Sequence, residues 1–407
     1  MSNTFAASFF SGNRARLRNL LQDTTPIIMI ANGLLQQSTD STFPFKQDGN
    51  FWYLTGVNEP DVILVLDKDK EYLILPEQSD YQRHFNGEYD VKKLASISGI
   101  RQVLSQQEGN KLLQQVIIKT KEVATLTPSP HYIAEMGFYT NPSRQALNTR
   151  IHELNNKVEL LDLRKHFGQM RMVKQPQEIE AIQSAIDITI KTLQGIKKKI
   201  DSYEYEYQAE ADVAYGFRNN GADGIAFDSI VAGGANACVV HYKENNDELR
   251  NDELLLFDVG AEANGYAADI SRTYAHGVAS ERQKQVHKAV CDVQDYAYSL
   301  LKPGVMLREY EKMVRDFTGE KLRELGLINN LEPSEIRKYY PHSASHFLGF
   351  DVHDVGDYDQ PLEPGVVITV EPGIYIPEEG IGVRIEDDVE ITESGIRIMT
   401  DKLPRDL

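Results

Sequence analysis

Cysteine is nearly missing from this 407-residue sequence: Cys238 and Cys291 are the only two. Two thiols cannot build a disulfide framework, and both lie in apolar stretches that suit buried, unpaired thiols. Long apolar runs are missing too. None approaches the roughly 18 residues needed to cross a bilayer, and the opening stretch MSNTFAASFFSGNRARLRNL lacks the apolar core of a secretion signal. The expectation is a cytoplasmic protein without membrane contact. Positive charge is in deficit, with 43 Lys and Arg against 61 Asp and Glu for a net charge of −18. That balance argues against nucleic acid as a partner, because phosphate binding needs a basic surface. The run KKKI at 197–200 reads as a solvated helix end. Tryptophan occurs once, at Trp52, and histidine ten times.

What remains is ordinary for a globular chain, 41% hydrophobic and 26% charged, and its length favours two domains. In the first part NRARLRNLLQ reads as helix, while PIIMIA, DVILVLD and EYLILPE read as buried strands. Strands alternating with helices predict an α/β domain over residues 1–160. A second domain over 168–407 opens with an amphipathic helix. Pro176 stands in its first turn, where a missing N–H costs little. Ile179, Ile182, Ile186, Ile190, Leu193 and Ile196 follow the helical period. Another helical run spans about Glu281 to Leu301. Helix followed by hairpin strands occurs twice in this half, a weak sign of two related parts.

The scarce histidines are not scattered. PHSASHFLGFDVHDVG, residues 341–356, holds His342, His346 and His353 beside Asp351 and Asp354. Upstream, LLLFDVGAEANGYAADISRTY contains Asn264-Gly265, a strong signal for a two-residue type I′ turn. With that turn Asp258 lies opposite Ser271 and Asp269 opposite Gly260. The two aspartates become diagonal neighbours on one face, with backbones roughly 7–8 Å apart. Convergent buried carboxylates repel unless protonated or bridged by a cation. Two solvated aspartates beside a turn are the plain alternative. A second pair of acids, Glu371 and Glu386, interrupts the apolar strand patterns of VVITVEPGIYIPEEGIGVRIEDDVEIT. Arg384 shares a strand face with Glu386 and could serve simply as its salt-bridge partner. Two Asp, two Glu and one His are too many ligands for a closed tetrahedral zinc site. They suit two divalent ions sharing carboxylates, with manganese or cobalt favoured by oxygen-rich ligation.

In order and local context, Asp258, Asp269, His346, Glu371 and Glu386 resemble the dinuclear site of the pita-bread metallopeptidases. The likeness covers the second half. STFPFKQDGNFWYLTGVNEPDVILVL, residues 41–66, is similar to the amino-terminal domain of that family's proline-specific branch, which includes aminopeptidase P and prolidase. The resemblance implies an α+β pita-bread catalytic domain preceded by a smaller α/β domain. It also implies a dinuclear exopeptidase that releases the amino-terminal residue of peptides with proline second.

By the same resemblance the five residues bind two divalent ions, Mn²⁺ first and Co²⁺ or Zn²⁺ as alternatives, with a solvent species between them as nucleophile. Glu371 is similar to the general base. His241 matches a substrate-binding histidine. His342 and His353 match histidines of the proline-side pocket, His353 being the donor to the tetrahedral intermediate, and Arg384 and Tyr375 match positions near the site. A homo-oligomer, dimer or tetramer, is the family expectation. The chain departs from the pattern in two places. SAS separates His342 from His346 where relatives often carry a glycine. In HFNGEYD, Phe85 and Glu88 replace a tryptophan and a basic residue, in a region that can approach a neighbouring subunit's active site. Prolidase, methionine aminopeptidase and a non-enzymatic scaffold of the same fold stay open as alternatives. The amino-terminal domain disfavours the second and the intact ligand set the third.

Overall fold

The computed structural model describes residues 5–22, 24–68, 70–127, 133 and 135–407, and the chain divides into two compact units, Met1–Met170 and Arg171–Leu407. The first unit is built on a six-stranded mixed sheet. Its strands are β1 (Ile27–Ile30), β2 (Ile63–Asp67), β3 (Lys70–Ile74), β4 (Gln102–Leu104), β5 (Glu122–Thr125) and β6 (Glu159–Asp162), in the order β4-β3-β2-β1-β5-β6. The three apolar runs read from the sequence are β1, β2 and β3, and NRARLRNLLQ falls largely within the helix Ala7–Leu20. β1, β2 and β3 pair antiparallel, whereas β4, β5 and β6 join in parallel after helical crossovers. Helices start where side chains can take the free N–H groups: Ser105 caps Gln106–Lys119, and Asn141 precedes Pro142 in Pro142–Leu154. Ile28, Val65 and Val123 from the sheet and Leu113, Ile117 and Ile151 from these helices form one buried cluster. Trp52 packs edge-on against Phe5 and Phe10, both ring pairs at 5.3 Å.

The second unit opens on the helix Pro176–Lys197, with Pro176 at its first position as read. Ile182, Ile186, Ile190, Leu193 and Ile196 are buried; Ile179, near the start, is only partly covered. Each such side chain removed from water contributes roughly 1.5–3 kcal/mol. Glu206–Asn219 follows, then β7 (Gly224–Ile225), β8 (Ile230–Gly233), β9 (Glu253–Val259), β10 (Ala261–Ala263), β11 (Tyr266–Ala267) and β12 (Ile270–His276). The pattern repeats with Glu281–Leu300 and Leu307–Glu324, then β13 (Val367–Val370), β14 (Gly373–Ile376), β15 (Ile381–Arg384), β16 (Asp387–Thr392) and β17 (Gly395–Ile398). Antiparallel sheets β12-β9-β8, β13-β16-β17 and β14-β15 meet where residues 384–386 run beside β12: Glu386 N–H donates to Ser271 O at 3.0 Å, and Arg384 N–H to Thr273 Oγ1 at 3.2 Å. Val293, Val314, Phe347 and Ile368 lie in one apolar cluster of this unit, and Val290, Leu322, Ile374 and Val383 in another. Cys238 and Cys291 are unpaired and half-buried, less covered than their apolar neighbours in sequence suggest. No described helix is long and apolar enough to cross a membrane.

Candidate metal centre

The hairpin turns where the sequence places it. Asn264 has φ 54° and Gly265 φ 80°, the two positive values a type I′ turn requires. Asp258 on β9 therefore pairs with Ser271 on β12. The ladder breaks at Gly260, where a Cβ would lie 1.8 Å from Ala268 O, so no other residue fits. That break separates β9 from β10, and a matching gap separates β11 from β12. Asp269 occupies the second gap, its N–H donating to Asp388 Oδ2 at 3.2 Å.

The two glutamates also sit at breaks, rather than within strands as their alternation suggests. Glu371 follows the end of β13 and gives its N–H to Ala344 O at 2.9 Å; Glu386 lies between β15 and β16. A residue that leaves one ladder before joining the next can turn its side chain toward a common centre.

His346 stands at that centre. Its Nδ1 is 3.0 Å from Phe347 O, so the proton belongs on Nδ1 and Nε2 keeps a free lone pair. Nε2 lies 3.4 Å from both Asp269 Oδ2 and Glu371 Oε1. One donor atom each from Asp269, His346 and Glu386 falls within 4.8 Å of the others, all three residues being buried. Thr369 Oγ1 takes the His346 N–H at 3.1 Å and donates to Glu371 Oε1 at 3.1 Å, tying both residues to β13.

A chain of hydrogen bonds leads from Asp258 into the protein. Arg384 Nη2 reaches Asp258 Oδ2 at 2.7 Å, Nε reaches Ser271 Oγ at 2.9 Å, and Nη1 donates to the Tyr375 hydroxyl at 2.8 Å. The Tyr375 hydroxyl lies 2.7 Å from His342 Nε2, and His342 Nδ1 lies 2.8 Å from Ser343 O. The salt bridge of Arg384 thus goes to Asp258 and not to Glu386, which receives Ser271 Oγ at 2.7 Å instead. The register puts Asp258 opposite Ser271, and both lie within the span of one guanidinium. Tyr375 is buried behind His342, and burial pushes its hydroxyl up to about 12.

The four acids, His346, His342 and Arg384 border a cavity of about 610 Å³, joined by His241, His353, Tyr358, Leu307, Arg308 and Glu311. His241 is exposed, in the loop after β8. His353 stacks on His346 with ring centroids 3.9 Å apart and planes 10° from parallel. An edge of His353 stays open to the cavity, but its covered face and the adjoining His346 push its pKa down to about 4. The acids flanking it are not its ion-pair partners. Asp351 and Asp354 both contact Arg171, and Asp354 also contacts Lys174. Sequence reasoning missed Glu311, on the helix Leu307–Glu324, whose Oε2 accepts the Ala344 N–H at 2.8 Å. It also missed the buried Asp388, which holds the Asp269 backbone. Neither lies in a pattern that marks it; only tertiary contact does.

The donor set fits divalent cations. Burial pushes both Asp269 and Glu386 well above the usual carboxylate range, and the charges of Asp258 and Glu371 push both the same way, with Asp388 adding to Asp269 and Asp269 to Glu386. Asp258 Oδ1 is buried with no hydrogen-bond partner among the described residues. Buried oxygens that repel one another are relieved either by protons or by a bound cation.

A largely buried cluster of four acids and a histidine is the side-chain set that a metal-dependent hydrolase needs. Residues 180–393 match metallopeptidase family M24, and residues 10–125 match the aminopeptidase P N-terminal domain. The chain belongs to metallopeptidase family M24, as a pita-bread catalytic domain preceded by the α/β domain of the aminopeptidase P branch. It is 34% identical to the Xaa-Pro aminopeptidase of Haemophilus influenzae, over 98% of this chain and 95% of that one. It is 31% identical to the Xaa-Pro aminopeptidase of Escherichia coli, over 96% and 94%. The structure of aminopeptidase P from E. coli with the inhibitor Pro-Leu superposes with a TM-score of 0.86 at 29% identity, covering 98% of this chain and 96% of that one.

Proposed function

We propose that this protein is a metal-dependent aminopeptidase that releases the first residue of peptides with proline second. The observation that carries the reading is the convergence of Asp269, His346 and Glu386 within 4.8 Å, in a chain similar over nearly its whole length to Xaa-Pro aminopeptidases. Asp258, Asp269, His346, Glu371 and Glu386 would hold two divalent ions, manganese by preference. When bound, such ions polarise the scissile carbonyl and generate a nucleophile from water at neutral pH.

The chain's own groups do the rest. Glu371 takes the proton of the attacking water, its Oε1 oriented by Thr369 Oγ1 at 3.1 Å. His353, neutral at working pH, donates to the oxygen that gains charge at the scissile carbon. His342 already uses both ring nitrogens, toward Tyr375 and Ser343, and so forms pocket wall. Arg384 and Tyr375 hold that wall in register with Asp258. His241 meets the peptide from the exposed side of the cavity. Proline offers no N–H to bind and fixes its own φ, so a pocket of rings and aliphatic surface suits it.

A homo-oligomer and a cytoplasmic location belong to the same reading. Prolidase, confined to Xaa-Pro dipeptides, is the alternative, favoured by the same ligands. Asp258→Ala tests the metal assignment: it is expected to lose bound metal and turnover together, and turnover retained without metal contradicts it.

A further inference from the structure

We infer that Arg171 and Lys174 are positioning residues for His353, holding its loop so that the imidazole lies over His346. The inference rests on the catalytic role proposed for His353. Residues 346–348 run alongside β13, with Thr369 N–H donating to His346 O at 3.0 Å and Leu348 N–H to Val367 O at 3.1 Å. The chain then leaves the sheet and returns, Asp354 N–H donating to Phe347 O at 2.8 Å. That return puts His353 back against His346 at 3.9 Å. A loop outside the ladder needs other anchors to fix one side chain so closely.

The anchors flank His353 on both sides. Asp354, only 7% exposed, accepts from Arg171 at Oδ1 and from Lys174 Nζ at Oδ2, the latter at 3.0 Å. Asp351 Oδ2 accepts from the same Arg171 Nη2 at 2.8 Å. The Arg171 guanidinium also lies 5.9 Å from the Phe350 ring centroid. The Asp354 carboxylate presses on the loop's own backbone, since a Cβ on Gly349 would come within 2.0 Å of Oδ2. The cations are fixed in turn beside β13: Lys174 N–H donates to Gly365 O at 2.9 Å, and Val173 bridges to Val366. β13 leads directly into Glu371, so the loop of His353 is registered on the strand that delivers the proposed base.

Burying opposed charges is a costly way to close a corner, and apolar side chains of similar volume often pack as well or better. What the charges add is a single register, because a shifted loop would leave Arg171 or Asp354 buried and alone. Neither acid contacts His353, so the imidazole stays available to substrate.

The test is a double-mutant comparison on the metal-loaded enzyme, following kcat and KM on an Xaa-Pro-Xaa peptide, with bound metal and Tm recorded for each variant. Arg171→Met is expected to lower kcat about tenfold or more, with KM and bound metal near wild type, and Arg171→Lys to recover part of the loss. In a His353→Ala background the same change is expected to cost less than about twofold, because the group being positioned is gone. Equal losses in both backgrounds, or wild-type kcat in Arg171→Met, overturn the inference while leaving the role of His353 intact. Wild-type kcat in His353→Ala alone removes that role and the inference with it. If Arg171→Met does not fold, Lys174→Met, which keeps the Arg171–Asp354 pair, decides by the same criteria.

Discussion

Arg384 and Asp258 meet at 2.7 Å, and the same guanidinium spans Ser271 Oγ and the Tyr375 hydroxyl. Three nitrogens engage three partners from β9, β12 and β14. A lysine ammonium can reach one or two of these but cannot reproduce the fork. Arg384→Lys is therefore expected to lower kcat/KM by about 10- to 100-fold, equivalent to roughly 1.4–2.8 kcal/mol. Steady-state kinetics with metal analysis checks this; an unchanged kcat/KM would show the fork to be dispensable.

Metal removal should reverse the pH dependence of stability. Asp269 and Glu386 are pushed upward in the folded protein by burial and by the charges of neighbouring carboxylates, Asp258 and Glu371 among them. Without metal the folded state binds more protons than the unfolded state at any pH between their ordinary and raised values, so stability falls as pH rises through that window. Chelated protein is expected to melt higher at pH 5 than at pH 7. Metal-loaded protein should show the opposite trend, because protons compete with the ions for the same oxygens. Thermal melts with and without chelator at the two pH values decide it. A chelated protein whose Tm rises from pH 5 to pH 7 would count against the raised values.

The hairpin makes a cleaner structural prediction. Gly265 has φ 80°, and a Cβ there would come within 2.9 Å of the Phe350 ring. Gly265→Ala should destabilise the protein by about 1–2 kcal/mol from backbone strain alone. Denaturant unfolding measures it, and a change below about 0.5 kcal/mol would contradict the turn assignment.

That turn also shows how far local sequence reasoning reaches. Asn264-Gly265 sets the register, the register puts Asp258 opposite Ser271, and no distant contact is needed to foresee it. The helix beginning at Pro176 was legible for the same reason, since its period and its first-turn proline are local signals. The contacts of Arg171 were not, because Asp351 lies 180 residues away and nothing between them records the approach. Proximity in sequence offers Glu386 as a salt-bridge partner for Arg384, whereas the fold pairs Arg384 with Asp258. Tyr375 matched a site motif, but its ring lies buried behind His342. The acids and the histidine that converge on one cavity could be picked out in the sequence; the side chains that hold them in place could not.

Glu311 belongs to that second group. Its Oε2 holds the Ala344 N–H between His342 and His346, and burial pushes the carboxyl up to about 7. Glu311→Gln keeps an acceptor and should bind metal as the parent does. Glu311→Ala leaves the Ala344 N–H unpaired, at a cost of about 1–3 kcal/mol, and should loosen metal binding through His346. Metal titration of both variants separates them; equal affinities would mean the contact does not support the site.

The central claim is tested most directly by offering manganese-loaded protein three peptides side by side and measuring release of the first residue. The peptides are an Xaa-Pro-Xaa tripeptide, an Xaa-Pro dipeptide and a Met-Ala-Xaa peptide. Preferential cleavage of the tripeptide is the predicted result. Cleavage of the dipeptide alone, or no release from any of the three with metal bound, would contradict it.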